Sequence, residues 1–181
     1  VKQSRREGYA LHPKAAKIMA RKSGIPGQHS GGRQGKPSLY SVQLREKQKV
    51  RRLYGLLEKQ FARLMNEASR RDGLAGENLL QLLELRLDNV VYRAGFATSR
   101  RQARQLVNHG HFMLNGRRVD IPSIRVKIDD EIVVRPKSQK TGYFTELDNV
   151  INDSVQGPLS WLKSDGKKMT IKVTGLPKRE E

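Results

Sequence analysis

Three arginines that could hold phosphate groups lie close together on one predicted helix. Arg100, Arg101 and Arg104 fall at spacings that place them on one side of it. Like charges at these spacings repel one another unless an anion lies among them. A guanidinium group can donate two parallel hydrogen bonds to the oxygens of one phosphate. The spacing therefore predicts contacts with phosphate groups.

The charge of the whole chain indicates a polyanionic partner. Of 181 residues, 36 are Lys or Arg and 18 are Asp or Glu, which gives a formal net charge of +18. Residues 1–52 carry 14 basic and 2 acidic side chains, and residues 93–140 carry 11 and 4. Because excess charge of one sign disfavours compact folding unless a partner neutralises it, this segregation favours nucleic acid over a merely solvated surface.

Composition excludes several classes of protein. The chain has no cysteine, so disulfides, zinc–thiolate sites and thiol catalysis are excluded. No run of about 18 apolar residues could cross a membrane, and the first residues lack the apolar stretch of a signal peptide. We therefore expect a soluble, cytoplasmic protein without metal or cofactor.

No catalytic constellation is evident. His109 and His111 have no carboxylate at metal-ligand spacing, so an RNA contact or a turn role is the better interpretation. The glycine-rich loop at residues 31–36 lacks the spacing of a phosphate-binding loop, and Pro37 stands where Ser or Thr is needed. The carboxylates at residues 129–131 fall in a predicted turn. The sequence predicts that the protein is not an enzyme.

The elements that would position the basic residues are helices followed by strands. Apolar spacing predicts a helix from Val42 to Ala68 that breaks at Gly55, and a second helix over residues 80–94. Around residues 12–19 a short helix is expected with Pro13 in its first turn, followed by a loop over residues 25–37.

A compact helix-plus-strand unit follows. Thr98 or Ser99 is expected to cap a helix over residues 100–109, which ends at a left-handed Gly110. Asn115-Gly116 predicts a hairpin turn. Further strands are expected at residues 123–128 and 131–135, then a helix at 143–155 and strands at 160–163 and 169–174. The fold class is α+β, in which a basic N-terminal arm and a helical domain precede a small helix-plus-antiparallel-sheet RNA-binding module.

This order divides the chain into four predicted parts. They are the basic arm (1–40), the helical domain (41–81), the RNA-binding module (82–140) and a C-terminal helix with strands that pack on the module (141–181). The candidate RNA contacts are Arg5, Arg6, Lys47, Lys49, Arg51, Arg52, Arg100, Arg101, Arg104, Gln105, His109, His111, Asn115 and Arg117.

Residues 82–123 carry a recognisable pattern. They read LLELRLDNVVYRAGFATSRRQARQLVNHGHFMLNGRRVDIPS, which resembles the RNA-binding module named after the fourth protein of the small ribosomal subunit. Upstream, SRREG at residues 4–8, PGQH at 26–29 and YSVQLREKQKVRRLYGLLEKQF at 40–61 resemble that ribosomal protein outside the shared module. The chain thus resembles the universal S-four family of small-subunit ribosomal proteins, of bacterial type and cysteine-free.

The resemblance implies a structural role in the small ribosomal subunit. It implies direct binding of small-subunit rRNA at a multi-helix junction, early nucleation of the subunit body and an influence on decoding accuracy. Arg33 and Lys36 match positions that line the channel by which mRNA enters, although this loop has one extra residue. The implied protein neighbours are chiefly the fifth and also the third small-subunit protein. Zinc, which some members bind through cysteines, is not expected.

Two other classes remain open. Pseudouridine synthases and tRNA synthetases carry the same module, but each needs a large catalytic domain for which this chain has no room. A ribosome-rescue or heat-shock factor could use the module without the helix at residues 40–61, and it would travel with large subunits. Binding to the protein's own mRNA is also compatible with the family.

Overall fold

The computed structural model describes residues 1–22, 24–28, 35–152 and 159–178, which form two compact units. The first unit spans Val1–Phe61 and the second spans Ala62–Glu181. Helices precede an antiparallel sheet in the chain, so the predicted α+β fold is confirmed. No helix in the described ranges has both the length and the hydropathy that a membrane span requires.

The first unit is helical. It contains α1 (Lys2–Glu7), α2 (Pro13–Arg21), α3 (Leu39–Leu53) and the start of α4 (Glu58–Ala68). Pro13 opens α2 as predicted, because its fixed backbone angle and missing N–H suit a first turn. Gly55 separates α3 from α4 with a φ of 65°, which confirms the predicted break. Helix α1 was not predicted from the sequence.

The second unit packs short helices against one sheet. Its helices are α5 (Ala75–Glu84), α6 (Leu87–Arg93), α7 (Arg100–Asn108), α8 (Pro136–Gln139), α9 (Gly142–Thr145) and α10 (Leu147–Asn152). Its strands are β1 (Phe112–Leu114), β2 (Arg117–Val119), β3 (Glu131–Val134), β4 (Leu162–Asp165) and β5 (Thr170–Val173). All pairings are antiparallel, in the order β2-β1-β3-β5-β4.

The core of this unit lies between the sheet and the helices before it. From α6 and α7 come fully buried side chains such as Val90 and Val107. The sheet contributes Phe112 and Ile132, and Trp161 precedes β4. Helices α6 and α7 and the sheet therefore share one apolar core, which fixes the direction of their polar faces.

Two predictions near the middle of the chain are wrong for one shared reason. Residues 123–128 form no strand, and the helix predicted over residues 80–94 is interrupted between α5 and α6. Val126 donates its N–H to the carbonyl of Leu85, and Leu87 donates to the carbonyl of Ile124. Residues 123–128 thus form backbone hydrogen bonds with the residues between α5 and α6, and they do not join the sheet.

The C-terminal predictions were partly right. The helix expected over residues 143–155 is two short helices, α9 and α10, that meet at Glu146, and residues 153–155 lie outside the described ranges. The strand expected at residues 160–163 begins at Leu162 and runs to Asp165. The strand expected at residues 169–174 is confirmed as β5. Met169, the residue before this strand, has a left-handed backbone conformation with φ 53°.

Candidate nucleic-acid interface

Helix α7 presents the arginine cluster from a capped first turn. Ser99 Oγ accepts a hydrogen bond from the N–H of Gln102 at 3.3 Å, and Gln102 Oε1 accepts one from the N–H of Thr98 at 2.8 Å. These reciprocal bonds satisfy amides that a helix start leaves unpaired. Ala103 and Val107 are fully buried. The helix is therefore held in one rotation, with its polar face outward.

Helix α7 carries four of the predicted contacts, and they differ in exposure. Arg101 and Gln105 are exposed, whereas Arg100 and Arg104 are partly buried. The sequence predicted that phosphate would supply the anion among these arginines, and the structure shows that the protein also supplies carboxylates of its own. Buried carboxylates of α5 and α6 lie close to both, because the fold brings together charges that are distant in sequence.

Glu84 at the end of α5 is the first of these carboxylates. Arg93 donates to its two oxygens at 2.8 Å each, and Asn89 Nδ2 donates to Oε2 at 2.7 Å. Arg100 Nη2 lies 3.9 Å from Oε1. Such two-pronged pairing fixes the position of a guanidinium group more strictly than a single contact does.

Arg100 is oriented by two further groups. Its Nε donates to Asn89 Oδ1 at 2.8 Å, and its guanidinium carbon lies 4.6 Å from the ring centre of Tyr92. Since the ring face is electronegative, it attracts the cation. Arg100 is therefore held in place by an amide and an aromatic ring as well as by Glu84.

Asp88 is the second buried carboxylate. Arg86 pairs with both of its oxygens, at 3.1 and 2.9 Å, and Arg104 Nη1 lies 3.9 Å from Oδ2. The side chains of Arg86 and Asp88 are each 7% exposed, so this pair is internal. Arg104 is 39% exposed and keeps much of its surface for a partner.

The far end of α7 brings two histidines together. Gly110 follows the helix with φ 68°, as predicted, and the ring centres of His109 and His111 are 6.0 Å apart. His111 Nδ1 shares a hydrogen bond of 2.9 Å with Ser138 Oγ. Burial lowers the pKa of His111, and the positive charges of His109 and Arg135 lower it further. No group of three or more possible metal ligands occurs in the described ranges.

The hairpin between β1 and β2 has the predicted turn at Asn115-Gly116, with φ values of 48° and 78°. Asn115 Nδ2 donates to Asp130 Oδ1 at 2.7 Å, and its Oδ1 accepts from the N–H of Glu131 at 2.9 Å. Both ends of this amide are thus used inside the protein. Arg117 beside it is exposed.

In the first unit, most candidate cations of α3 also have acidic neighbours. Arg45 and Arg52 both contact the fully buried side chain of Glu7 from α1. Lys47 and Arg51 lie 2.5 and 3.3 Å from the carboxylate of Glu58. This sharing explains how so many cations fit on one helix.

The remaining predicted contacts of the first unit are less uniform. Lys49 pairs with Glu46 at 2.6 Å. Arg5 donates from Nε to the carbonyl of Gly24 at 2.8 Å, which ties α1 to the loop after α2. Arg6 and Lys36 are exposed, and Arg33 lies outside the described residues.

Sequence reasoning missed the acidic residues that hold the arginines. Glu7, Glu84 and Asp88 are buried, and each contacts at least two arginines. The weak signal available for Glu84 and Asp88 was a net negative stretch at residues 73–92 inside a basic chain. Arginines held in fixed positions on a small α+β module suit the phosphate backbone of a structured RNA. The fold and the site therefore define an RNA-binding protein.

Comparison with known proteins identifies the family. Residues 1–84 match the Ribosomal protein S4/S9 N-terminal domain, and residues 85–132 match the S4 domain. Small ribosomal subunit protein uS4 of Clostridioides difficile is 52% identical over 186 residues, which cover 99% of this chain and 88% of the relative. The protein of the same name from Chloroflexus aurantiacus is 50% identical over 182 residues, with the same coverage. The chain belongs to the uS4 family of ribosomal proteins.

Membership in this family confirms the resemblance seen in the sequence. It also identifies the chain as a structural protein of translation and not an enzyme, as expected.

Proposed function

We propose that this chain is a structural component of the small ribosomal subunit that binds small-subunit rRNA directly at a multi-helix junction. The observation that carries the proposal is the set of arginines on and around α7 that buried Glu84 and Asp88 hold in place. A junction offers phosphates from several strands at fixed positions, and prearranged guanidinium groups can bind them without first losing rotational freedom. Relatives 50% and 52% identical are named as small ribosomal subunit proteins.

The finer parts of the proposal concern assembly and decoding. By binding a junction early, the protein nucleates assembly of the subunit body in the cytoplasm. Lys36, which is exposed, and Arg33 contribute positive charge to the channel by which mRNA enters, and so influence decoding accuracy. The protein neighbours are the fifth and the third small-subunit proteins. We retain the four-part division at residues 40, 81 and 140 as part of this proposal.

The proposed rRNA contacts divide by the state of the side chain. Exposed Arg6, Arg101 and Arg117 can reach phosphates directly. Asn115 acts through the turn that it stabilises, because its amide already bonds to Asp130 and Glu131. Gln105 and His109 are also exposed. The other proposed contacts reach the RNA from ion pairs, hydrogen bonds or partly exposed surfaces: Arg5, Lys47, Lys49, Arg51, Arg52, Arg100, Arg104 and His111.

Binding to a transcript of the small-subunit rRNA tests this function. We expect the full chain to bind the transcript tightly in a filter assay and to lose affinity steeply as salt rises, because bound cations release counterions from the RNA. Arg101→Gln should weaken binding by about 1–3 kcal/mol. A matched transcript of large-subunit rRNA is the control. Preference for the large-subunit RNA would contradict the proposal and favour a rescue factor.

Sedimentation of a cell lysate tests the place of the protein in the ribosome. An integral component should remain with small subunits and whole ribosomes through a high-salt wash. Recovery at the top of the gradient, or with large subunits alone, would contradict the proposal.

A further inference from the structure

Four residues with cationic or protonatable side chains lie next to Gly110 or His111, at the junction between α7 and β1. They are His109 and His111 on either side of the glycine, Arg118 from β2 and Arg135 at the end of β3. We call these four side chains the Gly110 cluster. Neither Arg118 nor Arg135 was among the contacts predicted from the sequence.

Arg118 lies directly against the glycine. A Cβ atom placed on Gly110 would lie 2.8 Å from both Nε and Nη2 of Arg118. That distance is shorter than real contacts of a Cβ atom, so a side chain at this position would displace the guanidinium end of Arg118. The positive φ of 68° at Gly110 also favours glycine there. The guanidinium group of Arg118 therefore lies against the backbone at Gly110.

The other members of the cluster are close by. The ring centres of His109 and His111 are 6.0 Å apart. The N–H of Arg135 donates to the carbonyl of His111 at 2.8 Å, which holds the end of β3 beside the histidine. Arg135 Nε is buried and has no hydrogen-bond partner among the described residues.

The cluster differs from the paired arginines of this unit in having no acidic partner within the described ranges. Arg86, Arg93 and Arg125 each pair with a carboxylate through two hydrogen bonds. Within the described ranges, no member of the cluster has a carboxylate oxygen within 4.0 Å. Positive groups this close repel one another, so the arrangement favours an anion from outside the chain.

The remaining groups around His111 are neutral. Ser138 of α8 shares a hydrogen bond with its ring, and Phe144 of α9 lies 5.6 Å from it between ring centres. The charged groups that act on the imidazole are His109 and Arg135, and both disfavour its protonation. An anion in the cluster would reverse this balance and favour the imidazolium form.

We propose that the Gly110 cluster binds one phosphate group of the RNA backbone, with Arg118 and Arg135 as the permanently charged cations and His111 as a proton-linked third contact. This proposal rests on the proposed function, since it assigns part of the RNA interface. Two guanidinium groups and an imidazolium offer enough N–H donors to bond all the free oxygens of a phosphodiester. Because His111 must take up a proton, binding at this site strengthens as the pH falls through its pKa.

Replacement of Arg118 tests the site by its charge. Arg118→Gln is expected to weaken binding of the small-subunit rRNA transcript roughly tenfold and to reduce the slope of log affinity against log salt by about 0.7–0.9, the value for one phosphate contact. The matched control is Arg70→Gln, which removes an exposed arginine far from Gly110 in the sequence. An Arg118→Gln loss no greater than that of the control would overturn the proposal.

The protonation of His111 gives an independent readout. Its pKa can be measured by NMR titration of the imidazole in the free chain and in the complex with the transcript. We expect RNA to raise the pKa by about 1 in the parent and by clearly less in Arg118→Gln, because a bound phosphate stabilises the imidazolium. An unchanged pKa in the complex would overturn the proposal even if Arg118 proved important for affinity.

These measurements separate two kinds of failure. If the parent chain does not bind the transcript, the proposed function fails. If it binds, but either the effect of Arg118→Gln or the response of the His111 pKa is absent, only the phosphate site fails. The far-UV circular dichroism spectrum of each variant should match that of the parent, and His111→Gln provides a second variant whose affinity should be less dependent on pH.

Discussion

Replacing Glu84 by glutamine should destabilise the second unit. The side chain of Glu84 is 9% exposed, and its carboxylate accepts two hydrogen bonds from Arg93 and one from Asn89. Glutamine keeps the shape of the side chain but removes the negative charge and replaces one acceptor oxygen by a donor NH₂ group. Arg93 and Arg100 would then lie beside an amide in place of their shared anion.

The size of the effect follows from burial. Removing one partner of a buried ion pair typically costs about 3–5 kcal/mol, because the other charge is left uncompensated. Arg93 is 21% exposed, so water can reach part of its guanidinium group. The remaining glutamine oxygen also keeps one hydrogen bond. We therefore expect the free energy of unfolding to fall by about 2–3 kcal/mol.

Urea unfolding followed by tryptophan fluorescence measures this loss directly. The chain has a single tryptophan, Trp161, which is 2% exposed in the core of the second unit and so reports on its unfolding. Glu146→Gln is the matched control, since Glu146 is exposed in the same unit. Its loss should stay within about 0.5 kcal/mol.

A double-mutant cycle attributes the loss to the ion pair. In a chain that already carries Arg93→Met, the Glu84→Gln substitution should cost clearly less than it does in the parent. A loss below about 1 kcal/mol in the parent, or equal losses in both backgrounds, would refute the reasoning from burial and pairing.

Three further substitutions are informative. Glu7→Gln should loosen α1 from α3, because the buried Glu7 carboxylate contacts Arg52, and the α1 amides should lose at least about tenfold in hydrogen-exchange protection. Gly110→Ala should cost about 1–2 kcal/mol in urea unfolding, since φ is 68° there. The hydrogen bond from Arg125 holds the pKa of Glu67 below its usual value. The stability that this pair adds to the fold is therefore present above about pH 4.5 and is lost as the pH falls through the lowered pKa. Glu67→Gln should therefore reduce the loss of stability between pH 7 and pH 3, as measured by urea midpoints.

Each of these has a clear contrary result. Unchanged exchange in α1 would show that the Glu7 carboxylate does not fasten the helix. Full stability of the Gly110→Ala variant would mean that the left-handed conformation there costs nothing for alanine. A parent and a Glu67→Gln variant with the same acid sensitivity would remove the Glu67–Arg125 pair as a cause of that sensitivity.

Local signals explain which elements the sequence could predict. Ser99, Gly110 and Asn115-Gly116 act within a few residues of themselves, and the structure has the expected cap, left-handed residue and turn. The failed strand at residues 123–128 has apolar residues in alternation, but its backbone bonds go to Leu85 and Leu87. Such partners are distant in sequence, so no local pattern could reveal them.

The same distinction applies to the candidate interface. The arginines were visible as a cluster on α7, because helical spacing alone places them together. Their carboxylate partners at Glu84 and Asp88 were not, since those contacts depend on how α5, α6 and α7 pack. Arg118 reaches Gly110 only through the pairing of β1 with β2. Sequence patterns thus predicted which face of α7 carries the arginines, but not which of these arginines already contact a carboxylate of the protein.

The strand order has a consequence for synthesis of the chain on the ribosome. Strands β1, β2 and β3 lie within residues 112–134, so they can pair as soon as that segment emerges. The other neighbour of β3 is β5, at residues 170–173. Until β4 and β5 are translated, β3 is the open edge of the nascent sheet. Its Ile132 and Val134 then lack the core side chains that β5 contributes. Open apolar edges invite pairing with other chains, so the interval before residue 173 emerges is when a nascent chain is most exposed to misassembly and chaperone capture.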